Sequence, residues 1–113
     1  MGRRKSRIIN IKNEVIIGRI YKITNNVDDM VYIGSTVKPL VKRLGDHMYD
    51  YKRAIYKMKL YDHFTEIGVE NFEMELLEWR QVRNMNELHK LEQDWIDKQN
   101  PKYLLNSKRA SMN

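Results

Sequence analysis

The sequence has no cysteine. That excludes a disulfide framework and a thiolate metal site, and nothing asks for an oxidising compartment, so an intracellular setting is expected. Long hydrophobic runs are also missing. The longest apolar stretch near the N-terminus is Val15 to Ile17, too short for a membrane span or a signal-peptide core, so no membrane partner is expected. No internal repeat, low-complexity tract or linker interrupts the 113 residues, a length that suits one compact domain and is short for two independent cores.

What is present belongs to an ordinary globule: 42% hydrophobic and 32% charged residues give enough apolar surface to form a core. The net charge of +6 favours an anionic partner, because each lysine or arginine placed on a phosphate releases condensed counterions. Nucleic acid is the first candidate. Residues 1 to 14 open with Met-Gly-Arg-Arg-Lys-Ser-Arg and show no period, which predicts a basic N-terminal arm ahead of a domain over 15 to 113.

Val15 to Ile23 is β-branched and aromatic. Turn residues at 24 to 29 follow, then a second such run from Met30 to Ser35, so the pair predicts a β-hairpin. A helix is expected from about Pro39 to Tyr56, with Ser35 or Thr36 as caps and Leu40, Val41, Leu44, Met48, Tyr51 and Ile55 on its core face at about 100° per residue. A short helix over 60 to 67 ends at Gly68, and the alternation of 71 to 76 predicts a third strand. A final helix capped by Asn84 or Asn86 runs to about Gln99, ahead of Pro101. The expected class is α+β, a three-stranded antiparallel sheet flanked by helices in the order β-β-α-(short α)-β-α.

A few residues stand where packing does not ask for them. Glu92 lies within the apolar arc of Met85, Leu88, Leu91, Trp95 and Ile96. A carboxylate there must be protonated, paired with a cation or bound to a metal, because burying it unpaired costs several kcal/mol. Arg43 and His47 stand one turn apart on the flank of the first helix's core face; a guanidinium beside an imidazole suits a scissile phosphate. Tyr21 and Tyr32 lie on facing strands, where tyrosines also serve as packing. His63 and His89 lack a partner at metal-ligand spacing and read as solvated or capping side chains. Lys38, Lys42, Lys52, Arg53, Lys57 and Lys59 make the first helix and its sequel basic, a flank that could contact phosphates or merely face solvent.

In this order the residues resemble the GIY-YIG nuclease superfamily from about Gly18 to Ala110. Gly18-Arg19-Ile20-Tyr21 with Lys22 to Asn25 is similar to the first motif, and Val31-Tyr32-Ile33-Gly34-Ser35-Thr36 to the second. Lys42-Arg43-Leu44 with His47 resembles the family's helix motif. Ile67-Gly68 with Glu70-Asn71-Phe72 resembles the start of its third strand, and Leu91 to Ile96 its metal-binding helix. Each piece alone is weak; the ordered set is specific.

The resemblance implies a DNA endonuclease whose tyrosines, Arg43, His47 and Glu92 converge on one concave face. Glu92 would be the sole protein ligand of magnesium or manganese. Tyr21, or else Tyr32, would be the general base, with His47 as its proton acceptor and Arg43 stabilising the pentacoordinate phosphate, to leave 3′-hydroxyl and 5′-phosphate ends. Two departures stand out. Arg19 occupies the family's usual glycine position, with Gly18 one place earlier. The family's late asparagine matches Asn106, whose implied role is to steady the site by hydrogen bonds. A double-strand cut would need a transient homodimer on DNA, because one chain carries one site. The alternative from another class is a nucleic-acid-binding module of the same fold without hydrolysis.

Overall fold

The computed structural model describes residues 15–106; the basic arm expected over 1 to 14 lies outside the described residues. The elements run β1 (Ile16–Asn25), β2 (Tyr32–Thr36), α1 (Leu40–Arg53), α2 (Lys59–Ile67), β3 (Phe72–Val82) and α3 (Met85–Asp97), with short 3-10 turns at Val69–Asn71 and Pro101–Tyr103. The class and order are those expected. The sheet is antiparallel in the order β2-β1-β3, so β1, with its run Ile16-Ile17 and Ile20 to Ile23, is the central strand, where β-branched residues pack best.

Consecutive β1 residues point to opposite faces, and both faces are covered. Ile20 joins Ile33, Val82, Leu88 and Ile96 in one apolar cluster that α3 closes. Tyr21 and Ile23 join Leu60, Tyr61, Phe64 and Leu105 in another beneath α1 and α2. Burying side chains such as Ile20, Ile33 and Leu88, all fully enclosed, stabilises by about 1.5–3 kcal/mol each. Between Ile20, opposite Glu78, and Tyr21, opposite Leu76, the pairing shifts by one residue, which makes Leu77 the extra residue of a bulge on β3.

Several local expectations change. The third strand is longer than 71 to 76. It reaches Val82 because β1 offers a full-length partner, Ile16 pairing with Val82, although its second half carries Glu78 and Arg80 on an exposed edge. Helix α1 stops at Arg53, where Ala54 takes the left-handed conformation, φ 55°. Its N-terminus has no side-chain cap: Thr36 Oγ1 accepts from Lys38 N at 3.0 Å, and Ser35 is engaged elsewhere. Its buried side is also rotated. Val41 is 76% exposed and Leu44 lies at the rim, whereas His47 is fully buried, so a polar residue occupies the centre of the face. Asn84, not Asn86, caps α3 by accepting from Glu87 N at 2.9 Å, and Glu87 accepts in turn from Arg83 N at 2.6 Å.

The segment after α3 returns to β2. Val31 N donates to Tyr103 O and Leu105 N to Val31 O, both at 2.8 Å, forming a parallel bridge between Val31 and Leu104.

Candidate active site

The β1–β2 register sets Tyr21 opposite Gly34. The tyrosine ring lies over the glycine so closely that a Cβ there would sit 2.4 Å from the hydroxyl oxygen. Gly34 is therefore a steric requirement for Tyr21, not a turn residue. Tyr21 is fully buried and its hydroxyl lies 2.8 Å from His47 Nε2. The other ring nitrogen, Nδ1, lies 2.9 Å from the Tyr61 hydroxyl. Tyr32 packs edge-on to His47, with ring centroids 5.8 Å apart, and against Tyr21 at 6.4 Å. Helix α1 supplies Arg43 and His47 one turn apart, and the Arg43 guanidinium faces the Tyr21 hydroxyl.

Electrostatics follow from enclosure. Burial, reinforced by Arg43, lowers the His47 pKa to about 4, so the ring is neutral at pH 7. Burial pushes Tyr21 up to about 12; Arg43 opposes this and Glu92 adds to it. Tyr32 is raised further, by burial and then by Tyr21 and Glu92. Neither phenol is ionised at rest. Among the described residues the Tyr32 hydroxyl has no hydrogen-bond partner, which leaves it open to a substrate.

Glu92 arrives from the other face of the sheet. Its Oε1 accepts a hydrogen bond from Ser35 Oγ, the β2 residue next to Gly34. Burial raises its pKa; Ser35, His89 and Arg43 lower it by less. The second carboxylate oxygen has no donor among the described residues and is not sealed from solvent. An open oxygen on an oriented carboxylate suits a hard cation whose other ligands are water and phosphate. Among the described residues no group of three or more His, Cys, Asp or Glu converges, so what this point of the fold offers is a lone carboxylate.

Glu92 lies close enough to Tyr21 and Tyr32 to raise the pKa of both, and Arg43 close enough to lower that of Glu92. Tyr21, Tyr32, Arg43 and His47 lie on the α1/α2 side and Glu92 on the α3 side. The two sets come together at β2, whose alternating residues, Tyr32 and Gly34 against Ile33 and Ser35, belong to different layers. Asn106 holds that strand: its Oδ1 accepts from Ile33 N at 3.0 Å and its Nδ2 donates to Ile33 O at 2.7 Å, as a neighbouring peptide would. What these bonds hold is the β2 backbone at Ile33.

Arg19 reaches the segment that leads into α1, its Nη1 3.4 Å from the carbonyl oxygens of Val37 and Lys38. Gly18 faces Leu88, whose Cδ1 would lie 2.6 Å from an added Cβ. Sequence reasoning missed Ser35 and Tyr61. Ser35 sits inside a motif but reads as a helix cap, and Tyr61 reads as a core aromatic of a short helix. His63 is not solvated as expected: its side chain is 12% exposed and it bridges Asp28 and Glu66, each at 2.8 Å.

Comparison with known proteins shows the family and the fold. The family profile described as "GIY-YIG catalytic domain" matches residues 17–104. The chain is 40% identical over 80 residues to putative MSV199 domain-containing protein 146R of Invertebrate iridescent virus 6, covering 70% of this chain and 32% of that protein. It is 35% identical over 81 residues to protein 019R of the same virus, covering 71% and 28%. The chain thus spans less than a third of the length of either viral relative. Among solved structures, the catalytic domain of intron endonuclease I-TevI, in a mutant form, superposes with a TM-score of 0.70 at 27% identity, covering 86% of this chain and 99% of that one.

Proposed function

Because the chain belongs to the GIY-YIG nuclease-domain family, we propose that it is a DNA endonuclease. In this reading water activated by Tyr21 attacks the phosphodiester, one divalent cation sits on Glu92, and the products are 3′-hydroxyl and 5′-phosphate ends. The observation that supports it is the junction at β2, where the hydrogen-bonded Tyr21–His47 pair and the open Glu92 carboxylate stand on adjacent strand residues, with Arg43 close enough to bias the ionisation of both.

With its pKa near 12, Tyr21 cannot rest as a phenolate at neutral pH. It acts as a base only if its own proton leaves as the water's proton arrives, and neutral His47 Nε2 is the acceptor. The phenol oxygen gains one proton from water, Nε2 gains the phenol proton, and the hydroxide attacks phosphorus as the bond to the 3′ oxygen breaks. Arg43 neutralises the equatorial oxygens. A magnesium or manganese ion held by Glu92 would supply positive charge for the developing 3′ alkoxide. Tyr21 is enclosed in the free chain. In this reading the attacking water reaches Tyr21 only when bound substrate displaces part of that enclosure. The exposed Lys42, Lys52, Arg53, Lys57 and Lys59 line the approach for the backbone of the substrate.

The test is supercoiled-plasmid nicking with magnesium or manganese by wild type, Glu92→Gln and Tyr21→Phe at matched folded concentration. Wild type nicks in a metal-dependent manner, and Tyr21→Phe loses about 10²- to 10⁴-fold. Equal rates in all three would refute the site. A folded wild type that leaves plasmid, branched and single-stranded DNA intact would favour the second reading, a binding module without hydrolysis, which the enclosure of Tyr21 supports. That reading requires salt-dependent DNA binding that Glu92→Gln leaves unchanged.

A further inference from the structure

One hydroxyl in the enclosed network has no part in the chemistry above. Tyr61 comes from α2, is 5% exposed, and is held by Phe64 stacked at 5.7 Å and Tyr51 at 6.0 Å. It meets the His47 ring edge-on at 5.9 Å, with its hydroxyl 2.9 Å from Nδ1. We infer that Tyr61 is a positioning residue that holds the proton of His47 on Nδ1 and so keeps Nε2 bare to receive the proton of Tyr21. This rests on the reading of Tyr21 as the base.

The argument is one of donor counting. A neutral imidazole has one N–H and one lone-pair nitrogen, and its neighbours decide which is which. Arg43 carries only donors, so where its guanidinium faces the Tyr21 hydroxyl the tyrosine oxygen receives. The Tyr21 O–H must then point at its one other polar partner among the described residues, His47 Nε2 at 2.8 Å. Nε2 is therefore the acceptor. The ring proton sits on Nδ1 and is donated to the Tyr61 oxygen. Burial keeps His47 neutral at pH 7, which makes the count binding: a protonated ring would donate from both nitrogens and could not take the Tyr21 proton.

When Nε2 gains that proton, the Tyr61 oxygen continues to accept from Nδ1–H and shares the new charge of the imidazolium. Without the Tyr61 hydroxyl, Nδ1–H faces an apolar ring. The tautomer with hydrogen on Nε2 then becomes favoured, donating to Tyr21 and blocking the transfer.

The experiment reads the tautomer directly. Long-range proton–nitrogen correlation spectra of the ¹⁵N-histidine-labelled chain, near pH 7 without DNA or metal, report which nitrogen of His47 bears hydrogen. Wild type is expected to be protonated at Nδ1. In Tyr61→Phe the population moves toward Nε2–H, and in the plasmid assay kcat falls about tenfold, the worth of one neutral hydrogen bond, with KM unchanged. An Nε2–H ring in wild type, an unshifted tautomer in a folded Tyr61→Phe, or a shifted tautomer with unchanged kcat would each overturn the assignment. If Tyr61→Phe does not fold, the wild-type spectrum alone decides. If folded wild type cuts no DNA, the nuclease reading fails, while the spectra still settle what Tyr61 does.

Discussion

Two histidines one helix apart show how far the surroundings of an imidazole decide its use. His47 on α1 is fully buried between two hydroxyls, and enclosure holds it neutral. His63 on α2 lies near the surface between two carboxylates. There burial disfavours the charge, but the hydrogen bonds that His63 makes to Glu66 and Asp28 outweigh it and raise the pKa. Hydroxyls can give or take a proton as the ring requires; ionised carboxylates only accept, so they favour the charged ring. The first arrangement suits proton transfer. The second ties the β1–β2 turn, where Asn25 and Met30 also bind Asp28, to α2.

The largest effect should come from His47→Ala. It removes the proton acceptor and takes the imidazole partner from the Tyr21 and Tyr61 hydroxyls, so nicking should fall about 10²- to 10⁴-fold, whereas His63→Ala should cut DNA at the wild-type rate. Comparable losses in the two variants would erase the distinction. Next is Gly34→Ala, whose methyl would stand 2.4 Å from the Tyr21 hydroxyl. The ring must shift, at a cost of about 1–3 kcal/mol by urea unfolding, and activity falls with it because the Tyr21–His47 contact is lost.

Asn106→Ala tests how far β2 depends on its clamp. Losing both bonds to Ile33 should cost about 1–3 kcal/mol and lower kcat, because Tyr32, Gly34 and Ser35 are carried by the same strand.

The smallest effect is one of pH, and the two histidines give it opposite signs. With its folded pKa near 4 against an ordinary 6.5, His47 is protonated more readily in the unfolded chain, so stability rises with pH from about 4 to 6.5 and is then complete. His63 is raised, so its contribution is full below about 6.5 and fades as pH climbs through its folded value. As pH rises above the ordinary imidazole range, the unfolding midpoint of wild type should therefore drop more than that of His63→Gln, and less so in high salt. Parallel curves would mean that the bridge contributes nothing.

Glu92 is where stability and function conflict. Its raised pKa, caused mainly by burial, means that ionisation opposes folding: stability is lost as pH rises from the ordinary carboxylate value through the folded one. Glu92→Gln should thus be at least as stable as wild type while inactive, a pattern of groups kept for function.

The positions of the strands were legible because β1 and β2 are β-branched runs separated by turn residues, and α2 because Gly68 closes it. Helix α1 was half legible. Its limits were nearly right, but its inner face was assigned by apolar periodicity, and that face is centred on His47, with Arg43 alongside. A buried polar residue looks like a surface residue until its partners are known. The far half of β3 was missed because Glu78 and Arg80 on an edge strand carry little hydrophobic signal, and only pairing with β1 extends it. His63 was misread because Asp28 is thirty-five residues away. Ser35 and Tyr61 were passed over for the same reason.

The sequence by itself determined the class of the fold, the order of its elements and the residue types a phosphodiester site would use, because these follow from local periodicity, turn chemistry and an ordered motif set. Only the tertiary structure decided which atoms face each other: Tyr21 on His47, His47 on Tyr61, Ser35 on Glu92, Asn106 on β2. Hydrogen bonds between residues far apart in the chain depend on register, burial and the sheet face from which each side chain emerges. Those quantities exist only once the layers have packed.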